Sequence, residues 1–229
     1  YIKIMHHDDY FSSSRSLSLM VEHIQAEDAD FLYTAAHVIY KRGNTQRIQR
    51  TTPKQLRILS RDAAFLFFKN VIMGPSVVLY KNQESFFDES LIWLVDIDFY
   101  ISKMKGKRFS YIDEPLISLV HNVEGQISDQ VQFNKEIQIR EHVLLFNKLC
   151  AHVKNVKPYH SFFDYLFFDF KIQTLEDLLT IVPRAAENKD FFISVIHGVN
   201  KNRWLKSFLR KCYGSRYNNY IFKLEQFQP

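Results

Sequence analysis

YIKIMHHDD, residues 1–9, joins a strand-like stretch to a cluster of polar and acidic side chains. Apolar residues alternate with Lys3 up to Met5, which predicts the end of a β-strand. Ligands of α/β sheets usually bind at the carboxyl ends of strands, so His6, Asp8 and Asp9 are candidate binding residues. Paired carboxylates suit Mg²⁺ or Mn²⁺. Taken alone, a solvated turn with helix-capping aspartates explains the cluster better.

Strand-like and helix-like segments alternate beyond residue 9, which predicts an α/β fold. Apolar residues recur at helical spacing from Leu17 to Ile24, as expected for a helix that packs on a sheet. Strands are predicted at residues 31–40, 77–80 and 115–121, and helices at residues 61–70 and 94–105. Residues 41–52 are polar and basic, and we predict an exposed loop there.

The pattern becomes entirely helical from residue 133. Ile139, Val143, Phe146 and Cys150 follow a 4-3-4 spacing, which predicts an amphipathic helix. An aromatic, buried helix is predicted at residues 159–170, and Thr174 with Asp177 resembles a capping box. We therefore expect a boundary near residues 129–133, with an α/β part at residues 1–130 and a helical C-terminal region at residues 131–229.

The composition is that of a globular protein, because 46% of the residues are hydrophobic and 24% are charged. No apolar run approaches the roughly 20 residues that a transmembrane helix needs. The two cysteines, Cys150 and Cys212, fit neither a disulfide framework nor a repeated zinc motif, so we expect reduced thiols in a cytosolic protein. The net charge of +5 weakly favours anionic partners without choosing among nucleotides, phospholipids and nucleic acid.

Three further groups are candidates for chemistry. A carboxylate at Asp96 lies among large apolar residues, which would raise its pKa and make it a better general base near neutral pH. Gly74-Pro75-Ser76 precedes a strand, where a backbone without a Cβ lets a ligand approach closely. His121 ends a strand and is followed by polar residues such as Gln126 and Ser128. Each group also has an ordinary structural explanation. Asp96 can be an acid in the first turn of a helix, Gly74-Pro75-Ser76 a tight turn, and His121 a hydrogen-bonded structural histidine.

The order of these groups resembles the second half of the catalytic domain of family-2 glycosyltransferases. The ordered segments that carry the resemblance are YIKIMHHDDYF at 1–11, GPSVVLY at 74–80, FDESLIWLVDIDFY at 87–100 and HNVEGQIS at 121–128. The resemblance covers about residues 1–130 and implies part of a GT-A fold, a Rossmann-like mixed sheet flanked by helices. The family's N-terminal nucleotide-binding half is absent from this sequence, and Tyr1 begins inside a strand. We therefore expect a missing upstream segment and little activity from the chain alone.

The resemblance also implies roles for individual residues. HHDD resembles the family's metal-binding element, with Asp8 as chief ligand and Asp9 and His6 in support. VDID resembles its catalytic element, which places Asp96 at the position of the base and Val95 where the family usually has Glu. The set expected to contact donor or acceptor is Gly74, Pro75, Ser76, Trp93, Asp98 and His121.

The implied function is transfer of a sugar from a nucleotide-diphospho-sugar, with a UDP-sugar expected, to a hydroxyl of a glycan or lipid-linked acceptor. The resemblance implies Mg²⁺ or Mn²⁺ as cofactor, inversion at the anomeric carbon and a place in the synthesis of bacterial surface polysaccharide or glycolipid. Nucleic acid is not expected as a partner. Two alternatives remain open: a metal-dependent hydrolase that uses residues 6–9, and a non-catalytic anion-binding module that uses the basic residues 41–50 and the basic tail.

A last helix is predicted at residues 201–213. Trp204, Leu205 and Phe208 belong to an apolar stripe that basic residues surround, which is typical of helices lying in a membrane interface. Packing of the stripe on the protein's own domain is the more common arrangement. The expected location is cytoplasmic, with peripheral contact at the inner face of the membrane as the alternative that this helix raises.

Overall fold

The computed structural model describes residues 1–40, 45–82, 87–121, 131, 133–153, 155–201 and 204. The chain divides into two units, Tyr1–Gln132 and Phe133–Pro229. The described part of the first unit is a mixed α/β structure, and that of the second unit is helical. No helix in the ranges above has both the length and the apolar content needed to cross a membrane.

The first unit is built on a mixed sheet. Its described strands are β1 (Ile2–Lys3), β2 (Tyr10–Phe11), β3 (Phe31–Tyr40), β4 (Thr45–Gln49), β5 (Val78–Tyr80) and β6 (Phe109–His121). The strands lie in the order β1-β5-β3-β6-β2, and β4 pairs with β3 beside β5. The β3–β6 pair is parallel, whereas the other pairs are antiparallel.

Strand β3 is the centre of this sheet. Its first six residues are all buried, as expected for a strand that is covered on both faces. It pairs with β6 from Phe31 opposite Phe109 to Tyr40 opposite His121. The register shifts around Ala35, where Pro115 of β6 cannot donate a ladder hydrogen bond. The strand predicted at residues 31–40 is confirmed.

Helices of the first unit cover the sheet. They are α1 (Ser16–Ala26), α2 (Pro53–Leu59) and α3 (Val95–Met104), with short 3₁₀ helices at Ala63–Phe67 and Pro75–Val77. Met20 and Ile24 of the predicted stripe are fully buried, whereas Leu17 is 41% exposed. The apolar segment predicted as a helix at residues 61–70 contains the shorter 3₁₀ helix.

The predicted loop at residues 41–52 is partly wrong. Residues 41–44 lie outside the described residues, but Thr45–Gln49 forms β4 and pairs with Ala36–Tyr40 of β3. The described side chains of β4 are exposed or half-buried. Pairing with β3, rather than an apolar pattern, therefore specifies this edge strand.

The second unit contains the helices α4 (Lys135–Cys150), α5 (Lys157–Asp169), α6 (Leu175–Ile181) and α7 (Lys189–Lys201). A 3₁₀ helix, Pro183–Asn188, joins the last two. Aromatic rings surround Phe146, with centroids 4.5–5.7 Å from its ring, at Tyr159, Phe163, Phe191 and Phe192. Both helices predicted between residues 133 and 170 are confirmed. Of the helix predicted at residues 201–213, all but Lys201 and Trp204 lies outside the described residues.

The capping box predicted at the start of α6 is confirmed. The Thr174 hydroxyl accepts a hydrogen bond from the Asp177 N–H at 3.0 Å, and the Asp177 carboxylate accepts the Thr174 N–H at 2.9 Å. Each bond satisfies a backbone donor that has no partner within the helix.

Replacing Thr174 with Ala is expected to lower the free energy of unfolding by about 1 kcal/mol, because one of these donors loses its acceptor. Urea denaturation followed by circular dichroism measures the change. Thr180→Ala is the matched control, since the exposed Thr180 hydroxyl donates to the Glu176 carbonyl within the same helix and caps no helix end. Equal stability of the two variants would contradict this role of Thr174.

Candidate functional site

Residues 4–9 connect β1 to β2, which lie at opposite ends of the strand order. The segment therefore crosses the sheet. The segment also runs along the strand direction. It starts near the first residues of β3, because Lys3 pairs with Leu79 of β5, and Leu79 pairs with Leu32 of β3. At its end, the Asp9 carboxylate accepts the N–H of Val120, which pairs with a residue near the carboxyl end of β3. The acidic segment thus reaches the end of the sheet where β3 and β6 both finish.

His6, Asp8 and Asp9 form a group that we call the acidic cluster. Each offers one ligand atom, and these three atoms lie within 4.8 Å of one another. A tight turn brings them together, in which the Asp9 N–H donates to the His6 carbonyl at 3.2 Å. The 3.0 Å hydrogen bond from Val120 N–H fixes the orientation of the Asp9 carboxylate. Two carboxylates and an imidazole are a donor set that fits Mn²⁺ or Mg²⁺.

Ser76 attaches the acidic cluster to the segment that precedes β5. Its side chain is fully buried, and its hydroxyl accepts the His6 N–H at 2.9 Å. Gly74 and Pro75 begin the same short 3₁₀ helix. A Cβ added at Gly74 would meet nothing within 4 Å, and its φ of −81° is ordinary. Neither packing nor backbone conformation within the described residues therefore requires glycine at this position.

Lys3 binds Ser76, the residue that also binds His6 of the acidic cluster. Its ammonium donates to the Ile4 carbonyl at 2.7 Å and to the Ser76 carbonyl. Burial lowers the pKa of Lys3 to about 8, and the negative charge of Asp9 acts in the opposite direction. Lys3 thus remains mainly charged at neutral pH in a partly desolvated position within electrostatic reach of Asp9.

Asp96 stands in the first turn of α3. Burial raises the pKa of this carboxyl to about 6, and the charge of His6 opposes the rise. His6 therefore lies within electrostatic reach of Asp96, although 90 positions separate the two residues in the chain. This is the link between the predicted base and the acidic cluster.

A contact between α3, the helix that carries Asp96, and the turn before Gly74 holds the two segments together. Tyr100, one helical turn after Asp96, is fully buried and donates its hydroxyl to the Met73 carbonyl at 3.3 Å. Met73 has a φ of +78°, which is uncommon for a residue other than glycine. The Asn70 side chain holds this turn, accepting the Met73 N–H at 2.8 Å and donating to its carbonyl at 3.0 Å.

Two of the remaining predicted residues, Trp93 and Asp98, lie at the start of α3. Trp93 precedes α3 and Asp98 lies in its first turn, and both are half-buried. Consecutive helical residues are rotated by about 100°, so Asp98 projects about 200° away from Asp96. Asp96 and Asp98 therefore occupy different faces of α3.

His121 is exposed at the end of β6 and lies outside the acidic cluster. Its ring stacks on Tyr40 with the centroids 5.7 Å apart. Gln126 and Ser128, which follow it in the predicted polar stretch, are outside the described residues. The structure therefore gives His121 an aromatic partner on the neighbouring strand.

The sequence analysis missed Lys3, Asn70 and Tyr100 as parts of the site. The sequence does give an indication for Lys3, because a single lysine among the apolar residues of a strand end needs either solvent or hydrogen-bond acceptors for its ammonium. The bonds of Asn70 and Tyr100 depend on the conformation of Met73, which the sequence does not indicate.

The sequence matches no protein-family model and no curated protein. The class that the described residues define is a mixed α/β unit with an acidic cluster near the carboxyl ends of a parallel strand pair. Its function is inferred from side-chain geometry.

Asp96→Asn is expected to stabilise the folded protein at neutral pH. Since the pKa of about 6 exceeds the ordinary 3.8, the folded state binds a proton more tightly than the unfolded chain does, and stability falls as pH rises through this interval. We expect the variant to gain about 1–2 kcal/mol at pH 7, and the gain to disappear below about pH 4.

Urea denaturation across this pH range, without divalent ions, measures the difference. Glu22→Gln is the control, since Glu22 is an exposed carboxylate on α1. An Asp96→Asn variant that is no more stable than the wild type at pH 7 would show that Asp96 ionises without a penalty.

Proposed function

We propose that this chain is the acceptor-side part of a GT-A glycosyltransferase similar to family 2. The reaction transfers a sugar from a nucleotide-diphospho-sugar, with UDP as the expected nucleotide, to an acceptor hydroxyl. The observation that carries the proposal is the acidic cluster itself, in which the ligand atoms of His6, Asp8 and Asp9 lie within 4.8 Å of one another. Two hydrogen bonds support its placement near α3: the Ser76 hydroxyl accepts the His6 N–H, and Tyr100 of α3 donates to the Met73 carbonyl a few residues before Ser76.

The cation site in this proposal consists of Asp8, Asp9 and His6, with Mg²⁺ or Mn²⁺ as the ion. When bound, a divalent ion supplies Lewis-acid neutralisation of the charge on a departing diphosphate. The protein's own part is orientation. The Val120 N–H fixes one oxygen of Asp9, and Ser76 fixes the backbone of His6.

Asp96 is the base in this proposal. With a pKa of about 6 it is mostly ionised at neutral pH and yet more basic than an ordinary aspartate. Its carboxylate accepts the proton of the acceptor hydroxyl as that oxygen attacks the anomeric carbon and the bond to the diphosphate breaks. A single displacement of this kind inverts the configuration. Positioned base catalysis contributes about 10²–10⁴ in rate.

The acceptor in this proposal lies along Gly74, Pro75 and Ser76, with Trp93, Asp98 and His121 further out. The open space beside Gly74 supports this placement. A glycan or lipid-linked acceptor, a cytoplasmic location at the inner membrane face and a role in surface polysaccharide synthesis are part of the same proposal.

The two alternatives have less support. A metal-dependent hydrolase needs further ligands around the ion, and His121, the best candidate, stacks on Tyr40 outside the acidic cluster. An anion-binding module would use the basic residues near β4. There Arg47 lies over the Tyr40 ring at 5.8 Å, and Arg50 pairs with Asp113 at 2.8 Å.

Asp8→Asn is expected to weaken Mn²⁺ binding at least about tenfold, because one charged oxygen ligand is replaced by a neutral amide. Titration calorimetry, or electron paramagnetic resonance of free Mn²⁺, measures the affinity. Glu22→Gln serves as the control, because Glu22 is an exposed carboxylate of α1 that does not belong to the acidic cluster. Unchanged Mn²⁺ affinity in Asp8→Asn would remove Asp8 from the site.

Asp96→Asn in the full-length protein is expected to lower turnover about 10²–10⁴-fold while Mn²⁺-dependent UDP binding stays nearly unchanged. The reason is that Asp96 acts on the acceptor and not on the ion. Radiolabelled sugar transfer and calorimetry with UDP measure the two quantities. A transfer rate equal to that of the wild type would exclude Asp96 as the base.

A further inference from the structure

Lys3 is a charged side chain beside the acidic cluster to which the proposed reaction gives no role. Its ammonium is held by two carbonyl oxygens, those of Ile4 and Ser76. The same Ser76 receives the His6 N–H through its hydroxyl. The ammonium is therefore fixed to the residue that also supports the cluster, and it cannot move away without breaking these two hydrogen bonds.

The charge of Lys3 acts on the acidic cluster. Asp9 and Lys3 interact electrostatically, and the half-buried environment of Lys3 weakens screening by salt. The ring of Phe11 lies 5.7 Å from the ammonium and covers part of it. The Ser76 carbonyl holds the ammonium and the Ser76 hydroxyl holds the His6 N–H, so the charge of Lys3 is kept near the cluster.

We propose that Lys3 is a positioning residue that sets the charge of the metal-loaded cluster, so that this cluster attracts a diphosphate group. The proposal rests on the proposed function, since it assumes the divalent ion at Asp8 and Asp9.

Formal charges explain the effect. An imidazole binds a metal ion in its neutral form, so the charges of the loaded cluster are those of the two carboxylates, the Lys3 ammonium and the divalent ion, which add up to one positive charge. Without Lys3 the loaded cluster would be neutral. Lys3 therefore opposes the entry of the metal ion and favours the anion that follows it, which makes the filled site selective for a negatively charged donor.

A purely structural role for Lys3 predicts something different. If its ammonium only clamps Ser76 to β1, its removal loosens the cluster, and both metal and anion bind more weakly. The charge-setting role predicts opposite signs for the two affinities. The direction of change thus separates the two roles.

The test uses Lys3→Gln, which keeps an N–H donor and loses the charge, and Lys3→Met, which loses both. Mn²⁺ binding alone is expected to tighten about threefold to tenfold, the size of one charge interaction at intermediate distance in a partly solvated site. In the full-length protein, UDP binding in saturating Mg²⁺ is expected to weaken by a similar factor, while uridine, which carries no diphosphate, binds as to the wild type.

Two controls keep the comparison clean. Lys3→Arg retains the charge, and both affinities are expected to stay close to the wild-type values. Lys105→Met removes an exposed lysine of the same unit and is expected to change neither affinity. Thermal denaturation of every variant establishes that it is folded.

Several outcomes overturn the proposal. Weaker binding of both Mn²⁺ and UDP in Lys3→Gln leaves Lys3 with the clamping role alone, and unchanged affinities leave it with no role in binding. If Lys3→Met does not fold, Lys3→Gln and Lys3→Arg still decide, since they differ in charge. Failure of the wild type to bind Mn²⁺ contradicts the proposed function itself, whereas normal wild-type binding with unaltered variants contradicts only the role of Lys3.

Discussion

The hydrogen bond from the His6 N–H to the Ser76 hydroxyl holds the candidate site together. It joins two segments that lie 70 positions apart, at 2.9 Å and with the hydroxyl fully buried. Loss of such an acceptor leaves a polar group without a partner, which typically costs about 1–3 kcal/mol. The bond also holds the start of the acidic segment beside the residues that precede β5, the strand that pairs with β1.

Residues of α3 and of the turn at Met73 also support the site, but two of their features are unfavourable for stability. Tyr100 and Asn70 stabilise an unusual backbone conformation at Met73, while Asp96 keeps a carboxylate in a place where ionisation is unfavourable. Ordinary selection for stability would remove such a feature. Strained or desolvated groups persist where a functional requirement outweighs their effect on stability. The convergence of both features on one helix turn and its neighbouring loop therefore favours a site over a solvated surface.

Local sequence signals predicted much of this structure, but contacts between distant segments limited the prediction. The apolar run of β3 and the Thr174–Asp177 box are encoded within ten residues and were found. The residues of β4 carry no apolar alternation and therefore predict a loop, and their pairing with β3 makes them a strand. The acidic cluster was recognised from its sequence, whereas the bonds of Lys3 to Ser76 could not be, because no local pattern indicates which carbonyl oxygens a lysine will meet.

The direction of the strands explains why the acidic residues gather where they do. Two antiparallel steps through β5 make β1 parallel to β3, and β6 is parallel to β3 as well. The chain therefore leaves these three strands at the same end of the sheet. The short β1 ends early, and residues 4–9 cover the remaining distance until Asp9 meets Val120. The short first strand and the acidic segment after it thus reach the end of the sheet, as a longer strand would. Because residues 4–9 are not paired as a strand, their backbone can turn and bring the ligand atoms of His6 and Asp8 close together.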